Sequence, residues 1–240
     1  MLKNVLTGVL VRIFPKWLQD ILSLIKEYLF RGYGTRFYAQ DGIDAILLKK
    51  IPKKDKGFYV DVGANHPFWA SNTYAFYKRG WRGINIDAAP GHMGLFRISR
   101  RRDINLEVPI SNITKPMKFF IFKSSALNSF SEKLSKERMK KNKIKKIVML
   151  KPKTLSQVLQ ENLPEKQHID LLTIDVEGHD LNVLKSNNWK KYRPKFIIIE
   201  QLCEDLNKVM KTPICLYLKE NGYELVASSG MDSIYEDRKA

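Results

Sequence analysis

The sequence GFYVDVGANHP, residues 57–67, decides the fold. Its first half is rich in aromatic and β-branched residues, and it predicts a short buried strand at 58–62. Asp61 and Gly63 then mark a tight turn, where glycine lets a ligand approach the backbone closely because it has no side chain. The turn lacks the further glycines of the dinucleotide-binding pattern and the Gly-Lys-Ser/Thr ending of a phosphate loop. It therefore suits a nucleoside that carries an amino acid better than one that carries a pyrophosphate.

Strands and helices alternate along the chain beyond this stretch. Further strands are predicted at 83–87, 105–110, 118–122, 145–150, 169–176, 195–200 and 222–228. Helices are predicted at 38–50, at 71–79 with Ser71 as N-cap, at 154–162 with Thr154 as N-cap, and at 206–221. The continuous apolar runs at 169–176 and 195–200 are typical of parallel strands buried on both faces. The pattern predicts one α/β domain over 38–240, built on a doubly wound, mostly parallel sheet.

The composition excludes several classes of protein. The chain has 240 residues, of which 44% are hydrophobic, so a globally disordered chain is excluded. Two cysteines, Cys203 and Cys215, exclude a disulfide scaffold and a four-cysteine zinc site, and we expect both to be reduced thiols in a cytoplasmic protein. No apolar run reaches the ~18–20 residues of a membrane span, and we expect no signal peptide.

The formal net charge of +17 is unevenly distributed. Residues 131–153 carry ten basic and two acidic side chains, whereas residues 154–240 carry more acidic than basic ones. We interpret 131–153 as a basic insertion, either a solvated segment or a lid that meets an anionic partner. A basic protein of this size suggests nucleic acid as a partner, but the local concentration of charge and the absence of an RNA-binding signature argue against it.

Residues 1–37 are predicted to form an amphipathic helical extension. Apolar residues recur at three- and four-residue spacing on both sides of Pro15, which separates two helices. Basic residues accompany them: Lys3, Arg12, Lys16 and Lys26. The extension either packs on the domain or lies on anionic lipid, so peripheral contact of residues 1–30 with the inner face of a membrane is an expectation beside a cytoplasmic location.

Acidic residues follow the predicted strands. In doubly wound folds, ligands bind at the carboxyl ends of the strands, near the switch in strand order. Asp87 ends the second strand, at about the 20-residue separation from Gly63 that is expected of an acid binding ribose hydroxyls. Four ionisable residues follow the strand at 169–176, and Glu200 closes the next one; the four are Asp175, Glu177, His179 and Asp180.

Taken together, these segments resemble the FkbM family of S-adenosylmethionine-dependent methyltransferases. The resemblance is carried by YAQDGIDAIL, GFYVDVGANHP, SNTYAFYKRGWRGINIDAAP, RRDINLEVPIS and IDLLTIDVEGHDLNVLKSNNWKKYRPKFIIIE, within residues 38–200. It implies a Rossmann-like class I methyltransferase fold, S-adenosylmethionine as cofactor, and O-methylation, commonly of a sugar or another hydroxyl compound.

The resemblance also implies which residues bind the cofactor. Asp61, Gly63 and Asn65 resemble the cofactor loop, and Ser71, Asn72 and Thr73 resemble the start of the following helix, where the methionine carboxylate binds. Asp87 resembles the ribose-binding acid, although the family usually has Glu there, and Asp103 resembles the acid beside the adenine. Gln40 and Asp44 resemble an upstream motif that folds over the cofactor.

Transfer to a sugar hydroxyl needs a group that takes the hydroxyl proton, and a base that titrates near neutrality is useful there. The candidates are His179, Glu177, Asp175 and His66. A metal-assisted alternative has Asp175 and Glu200 as ligands of a cation such as Mg²⁺. Phe68 and Trp69 lie in a predicted loop and are expected to contact the sugar face.

The sequence therefore predicts an O-methyltransferase acting on a hydroxyl of a saccharide, in a polysaccharide or glycolipid precursor. One alternative is a nucleic-acid-directed methyltransferase that uses the basic insertion. The other is a non-catalytic, membrane-associated binding protein that keeps the fold but not the turnover.

Overall fold

The computed structural model describes residues 15–19, 21, 37–51, 56–201, 203 and 205–239. The chain divides into two compact units, Met1–Arg36 and Phe37–Ala240. In the first unit, residues 16–19 and 21 are helical, and the rest of the predicted amphipathic extension lies outside the described residues. None of the helices in the described ranges has the length and apolar character needed to cross a membrane.

The second unit contains nine described strands. They are β1 (Phe58–Val62), β2 (Arg82–Asp87), β3 (Ile104–Glu107), β4 (Met117–Phe122), β5 (Ile144–Leu150), β6 (Leu171–Ile174), β7 (Phe196–Glu200), β8 (Tyr223–Ser229) and β9 (Asp232–Asp237). Its α-helices are α1 (Ile43–Lys50), α2 (Tyr74–Lys78), α3 (Met93–Ser99), α4 (Glu132–Met139), α5 (Leu155–Asn162), α6 (Asp180–Lys185), α7 (Leu206–Val209) and α8 (Pro213–Glu220).

Seven strands form one sheet in the order β3-β2-β1-β6-β7-β9-β8. Strands β1, β2, β3, β6 and β7 are parallel, and β9 is antiparallel to both of its neighbours. The strand order therefore reverses between β1 and β6, as in doubly wound folds. This confirms the predicted mostly parallel α/β architecture, and it puts the expected binding site at the carboxyl ends of β1 and β6.

Side chains of β1 supply both layers of the core. Phe58, Val60 and Val62 pack in the cluster that includes α5, α6 and α8, whereas Tyr59 packs with α1 and α2 on the other face. Successive residues of a strand point to opposite faces, so a strand covered by helices on both sides is apolar at nearly every position. The aromatic and β-branched residues that predicted β1 reflect this double burial.

The basic insertion is a folded part of the domain. Strands β4 and β5 pair antiparallel as a separate hairpin, and α4 lies between them in the chain. Ser131 caps α4 by accepting a hydrogen bond from the amide of Leu134. Phe119 and Ile121 of β4 pack with Phe130, so the hairpin has its own small apolar cluster.

Two local predictions were wrong, and one strand was missed. The helix predicted at 71–79 is shorter, Tyr74–Lys78, and Ser71 does not cap it because its hydroxyl is used by other side chains. The helix predicted at 206–221 is two helices, α7 and α8, because Thr212 caps a new helix that has Pro213 at its first turn. The strand predicted at 222–228 is confirmed as β8 (Tyr223–Ser229), but β9, which inserts between β7 and β8, was not predicted.

Candidate active site

A cleft of about 330 Å³ opens at the carboxyl ends of the parallel strands. Its volume is in the range of small-molecule sites. Nine of the residues singled out from the sequence line it, namely Gln40, Gly63, Asn65, Trp69, Asn72, Asp87, Asp175, Glu177 and Glu200. Residues that are far apart in the sequence thus lie together in the cleft, because parallel strands bring their carboxyl ends to one edge of the sheet.

The turn after β1 forms the floor of the cleft. Gly63 has a φ of +93°, a left-handed conformation that favours glycine. The amides of Gly63 and Ala64 donate to the carbonyl of Ile86 at 2.9 and 3.1 Å, which fixes the turn against β2. Asn65 lines the cleft, and its buried Oδ1 has no hydrogen-bond partner within the described part of the chain. The turn therefore presents both backbone and an unused acceptor to a ligand.

Asp87 ends β2 and lines the same cleft. Its Oδ1 accepts a hydrogen bond from the amide of Ala89 at 2.7 Å and lies 3.4 Å from Nδ1 of His92. The neighbouring carboxylate of Asp87 raises the pKa of His92 above its usual value. Ile86 and Val108 add apolar wall beside the carboxylate. A carboxylate next to an apolar wall is the environment that a ribose and its attached base require.

A buried arginine supports the turn from behind. Arg100 is fully buried, and its guanidinium donates to Oγ of Ser71 at 3.1 Å and to Oγ1 of Thr73 at 2.9 Å. It also donates to the carbonyl of Pro67 at 2.8 Å, and Thr73 in turn donates to Oδ2 of Asp61 at 2.7 Å. Burial raises the pKa of Asp61 to about 6. Asp61, Ser71 and Thr73 thus belong to the supporting network rather than to the lining of the cleft.

Asp103 and Asp44 also lie outside the lining of the cleft. Asp103 accepts hydrogen bonds from the hydroxyl of Tyr59 at 2.5 Å, from Nδ2 of Asn85 at 2.9 Å and from the amide of Gly83 at 3.0 Å. Asp44 accepts from the amides of Tyr38 and Ala45, both at 2.8 Å. Their oxygens are therefore occupied by the protein's own donors. Gln40, from the same upstream motif as Asp44, does line the cleft.

Carboxylates converge at the ends of β6 and β7. Asp175, Glu177 and Glu200 each offer one oxygen, and these three oxygens lie within 4.8 Å of one another. Asp232, which is paired with Glu200 in the register of β7 and β9, lines the cleft as well. Burial and the neighbouring carboxylates raise the pKa of both Asp175 and Glu200. We refer to Asp175, Glu177 and Glu200 as the acidic cluster.

The turn that carries the acidic cluster is held in an unusual conformation. Glu177 has a φ of +57°, which is uncommon for a residue with a side chain, and Gly178 follows with a φ of +85°. Asp180 stabilises this turn by accepting hydrogen bonds from the amides of Val176 and Gly178, both at 3.0 Å. Ser129 donates to the carbonyl of Glu177 at 2.7 Å. Strained backbone supported in this way is characteristic of functional sites.

The basic insertion forms one wall of the cleft. Arg138 of α4 is ion-paired with Glu177, and both side chains are largely buried. The same guanidinium donates to the carbonyl of Leu127 at 2.9 Å, which ties α4 to the loop between the hairpin strands. Neither Arg138 nor Arg100 was singled out from the sequence, because each lies in a run of basic residues that gives no sign of which one is buried.

The two histidines proposed as catalytic bases, His179 and His66, have partners outside the cleft. Nε2 of His179 is 2.9 Å from Oγ of Ser111, and burial lowers the pKa of this histidine. Nδ1 of His66 accepts hydrogen bonds from the amides of Phe68 at 3.3 Å and Trp69 at 3.0 Å. Phe68 packs edge-on against His66, whereas the 70% exposed Trp69 lines the cleft. Of these four residues, the structure brings only Trp69 to the cleft.

The strand order and the cleft at the switch point define a doubly wound, Rossmann-like domain. The family model described as the methyltransferase FkbM domain matches residues 61–225, well over half of the chain. The chain belongs to the FkbM methyltransferase family, and it is an S-adenosylmethionine-dependent methyltransferase.

Among solved structures, the chain is similar to precorrin-6y C5,15-methyltransferase from Geobacter metallireducens GS-15. The two share 11% sequence identity with a TM-score of 0.41, over 84% of this chain and 89% of that chain. No curated protein matches the chain at a significant level.

Proposed function

We propose that this enzyme transfers the methyl group of S-adenosylmethionine to a hydroxyl oxygen of a saccharide, in a polysaccharide or glycolipid precursor. The observation that carries the proposal is that the cleft holds carboxylates in two separate places, Asp87 in one and Asp175 and Glu200 in the other. Asp87 ends β2, whereas Asp175 and Glu200 follow strands two and three places further along the sheet. At ~4.8 Å between neighbouring strands, these distances are roughly 10 and 14 Å, which leaves room for a cofactor on one side and an acceptor on the other.

The lining on the side of Asp87 fits the cofactor. Asp87 is placed to accept hydrogen bonds from ribose hydroxyls, and the Gly63 turn presents backbone to the nucleoside. The unpartnered Oδ1 of Asn65, together with Gln40 and Asn72, provides polar groups for the amino acid end. When bound, S-adenosylmethionine supplies the methyl group that its sulfonium sulfur carries. The rest of the cofactor leaves as S-adenosylhomocysteine. Arg100 and the side chains that it bonds position this turn from behind.

Other residues of the lining fit a saccharide. The exposed ring of Trp69 provides a flat apolar surface, and the polar residues Asp41, Ser125 and Asn128 offer hydrogen-bonding groups for several hydroxyls. A site with one aromatic surface and several convergent polar groups favours a polyhydroxylated ligand over an apolar one. Phe68, which packs on His66, would then act by shaping the loop that holds Trp69.

The acidic cluster provides the group that takes the hydroxyl proton. As the oxygen–carbon bond forms and the carbon–sulfur bond breaks, the proton passes to a carboxylate oxygen of Asp175 or Glu177, which line the cleft. His179 and His66 are less suited to this role, because neither lines the cleft, and one ring nitrogen of each is engaged, by Ser111 and by backbone amides respectively. The rest of the catalysis is alignment of the acceptor oxygen with the methyl group.

A glycolipid precursor would account for two features outside the cleft. The basic insertion places exposed lysines around a wall of the site, where they would attract a phosphate-linked acceptor. Residues 1–30 would add peripheral contact with the inner face of the membrane that carries such an acceptor. The enzyme would then act from the cytoplasm on a lipid-linked saccharide.

Two measurements test the proposal. Isothermal titration with S-adenosylmethionine should show binding to the wild type and to Glu165→Ala, a change at an exposed acid, and a loss of about tenfold or more in Asp87→Ala. Labelled S-adenosylmethionine is then incubated with glycan intermediates, and the label is located by mass spectrometry. A label on a hydroxyl oxygen supports the proposal; equal cofactor affinity in all three proteins, or a label on nucleic acid, rejects it.

A further inference from the structure

We propose that Asp175, Glu177 and Glu200 bind a divalent cation that prefers oxygen ligands. The role of the cation in catalysis rests on the proposed function. The binding of the cation does not. The three carboxylates come from two neighbouring strand ends, β6 and β7, and from the turn between β6 and α6. Each offers one oxygen to a common point beside the cleft.

The spacing of these oxygens selects the kind of cation. The three lie within 4.8 Å of one another. Two oxygens that share one Ca²⁺ at about 2.3–2.6 Å lie at most about 5 Å apart, whereas sharing Mg²⁺ at about 2.0–2.1 Å brings them within about 4 Å. Of these cations, Ca²⁺ fits this spacing best, and Mg²⁺ or Mn²⁺ requires the three oxygens to move closer together. A set made only of carboxylate oxygens disfavours soft, thiolate-preferring metals.

A second observation, the unpartnered buried oxygens of the acidic cluster, points to a ligand there. Glu200 is only 8% exposed, lines the cleft, and has no hydrogen-bond partner for Oε2 among the residues that the structure describes. Oδ1 of Asp175 is likewise buried without a partner in this part of the chain. Buried carboxylate oxygens are normally satisfied, because leaving them unpaired is costly. A cation between the two would satisfy both oxygens at once.

The carboxyl groups around the cluster outnumber the positive charges that face them. Arg138 is ion-paired with Glu177 and supplies one positive charge, but it does not reach the unpartnered oxygens of Asp175 and Glu200. Asp180 uses both of its oxygens on backbone amides of the turn. Asp232 adds a further carboxylate to the lining. A divalent cation therefore balances a charge that the protein's own cation leaves uncompensated.

The cation would define the acceptor more closely. Bound at the edge of the cleft, it takes hydroxyl oxygens as its remaining ligands and lowers the pKa of the hydroxyl that it binds. Two adjacent hydroxyls of one sugar ring are the natural bidentate partner. Each carboxylate gives one oxygen to the cation, so a second oxygen of the cluster remains to accept the hydroxyl proton. The substrate class is thus a saccharide with a vicinal diol.

Binding is measured with Mn²⁺ as the probe, from the electron paramagnetic resonance signal of the free ion, in titrations of the full chain. One Mn²⁺ should bind per chain and be displaced by Ca²⁺ or Mg²⁺. Glu200→Gln should weaken binding about tenfold or more, whereas Glu165→Gln, at an exposed acid away from the cleft, should leave it unchanged. Mn²⁺ affinity that is the same in all three proteins would overturn the site.

Two further measurements separate loss of the site from loss of the fold. Arg138→Ala removes the competing positive charge and should tighten Mn²⁺ binding about threefold or more, whereas Lys141→Ala removes the same charge from an exposed position and should not. Tighter binding only in Arg138→Ala supports the site, and equal effects reject it. S-adenosylmethionine binding without Mn²⁺ binding rejects the cation alone and leaves the proposed function standing.

Discussion

Gly63 and Asp175 meet at the switch point of the sheet, so closely that a Cβ on Gly63 would lie 1.8 Å from the carbonyl oxygen of Asp175. Gly63 belongs to the turn after β1, and Asp175 begins the turn after β6. The contact therefore joins the cofactor side of the cleft to the acidic cluster through backbone atoms. A change in either turn displaces the other, because backbone in contact with backbone has no side chain that can move aside.

Replacing Gly63 by Ala should weaken cofactor binding. The new methyl group meets the Asp175 carbonyl, and the φ of +93° is strained for any residue with a side chain. Isothermal titration should show an affinity for S-adenosylmethionine at least about tenfold lower. Gly94→Ala in α3 is the matched control, because its Cβ has no atom within 4 Å and alanine favours the helix. Equal affinities in the two variants would contradict the role of this contact.

Replacing Arg100 by Met should destabilise the domain by about 3–5 kcal/mol, since it leaves the buried carboxylate of Asp103 without its cation and four oxygen acceptors without this donor. The free energy of unfolding in urea measures the loss. Arg101→Met, at the exposed next residue, removes the same charge and should change this free energy by less than about 0.5 kcal/mol. A loss of similar size in both variants would show that Arg100 acts through net charge and not through its buried bonds.

Asp61 should make the stability of the domain depend on pH. Burial raises the pKa of this carboxyl from 3.8 to about 6, so the folded state favours its protonated form. The resulting stabilisation is fully present below about pH 4 and is lost as the pH rises to about 6, a change of about 3 kcal/mol. Asp61→Asn keeps the acceptor for Thr73 and removes the titration. The difference in unfolding free energy between the two proteins should change over this pH range; a constant difference rejects the assignment.

The strands that position the site were predictable from the sequence. β1, β6 and β7 are buried on both faces: β6 and β7 were predicted from continuous apolar runs and β1 from its aromatic and β-branched residues, and the strand bounds agree within a few residues. The residue after each parallel strand lies at the same edge of the sheet, which is why Asp87 and Glu200 reach one cleft. Periodicity and chain order are local properties, and they suffice for these features.

Features that depend on tertiary contacts were not predictable. Arg100 is one of three consecutive arginines, and only the packing of the turn around it decides that it is the buried one. β9 has acidic residues at both ends, so its sequence does not show the apolar pattern of a strand that lies between β7 and β8. Asp87 lines the cleft, whereas Asp103 accepts hydrogen bonds from Tyr59 and Asn85. This difference depends on side-chain partners that only the fold brings together.

Arg138 should hold the basic insertion closed over the site. Its guanidinium joins α4 to Glu177 and to the carbonyl of Leu127, and the two contacts together contribute about 1.5 kcal/mol against local opening. Arg138→Ala should therefore raise the rate of limited tryptic cleavage at the lysines of residues 133–146 about tenfold, since cleavage follows the population of the open form. Lys141→Ala removes one cleavage site and one charge but neither contact, so its remaining sites should be cut at the wild-type rate. If both variants are cut at the same rate, α4 is held by its own cap and packing, and the ion pair with Glu177 serves only to balance the charge of the acidic cluster.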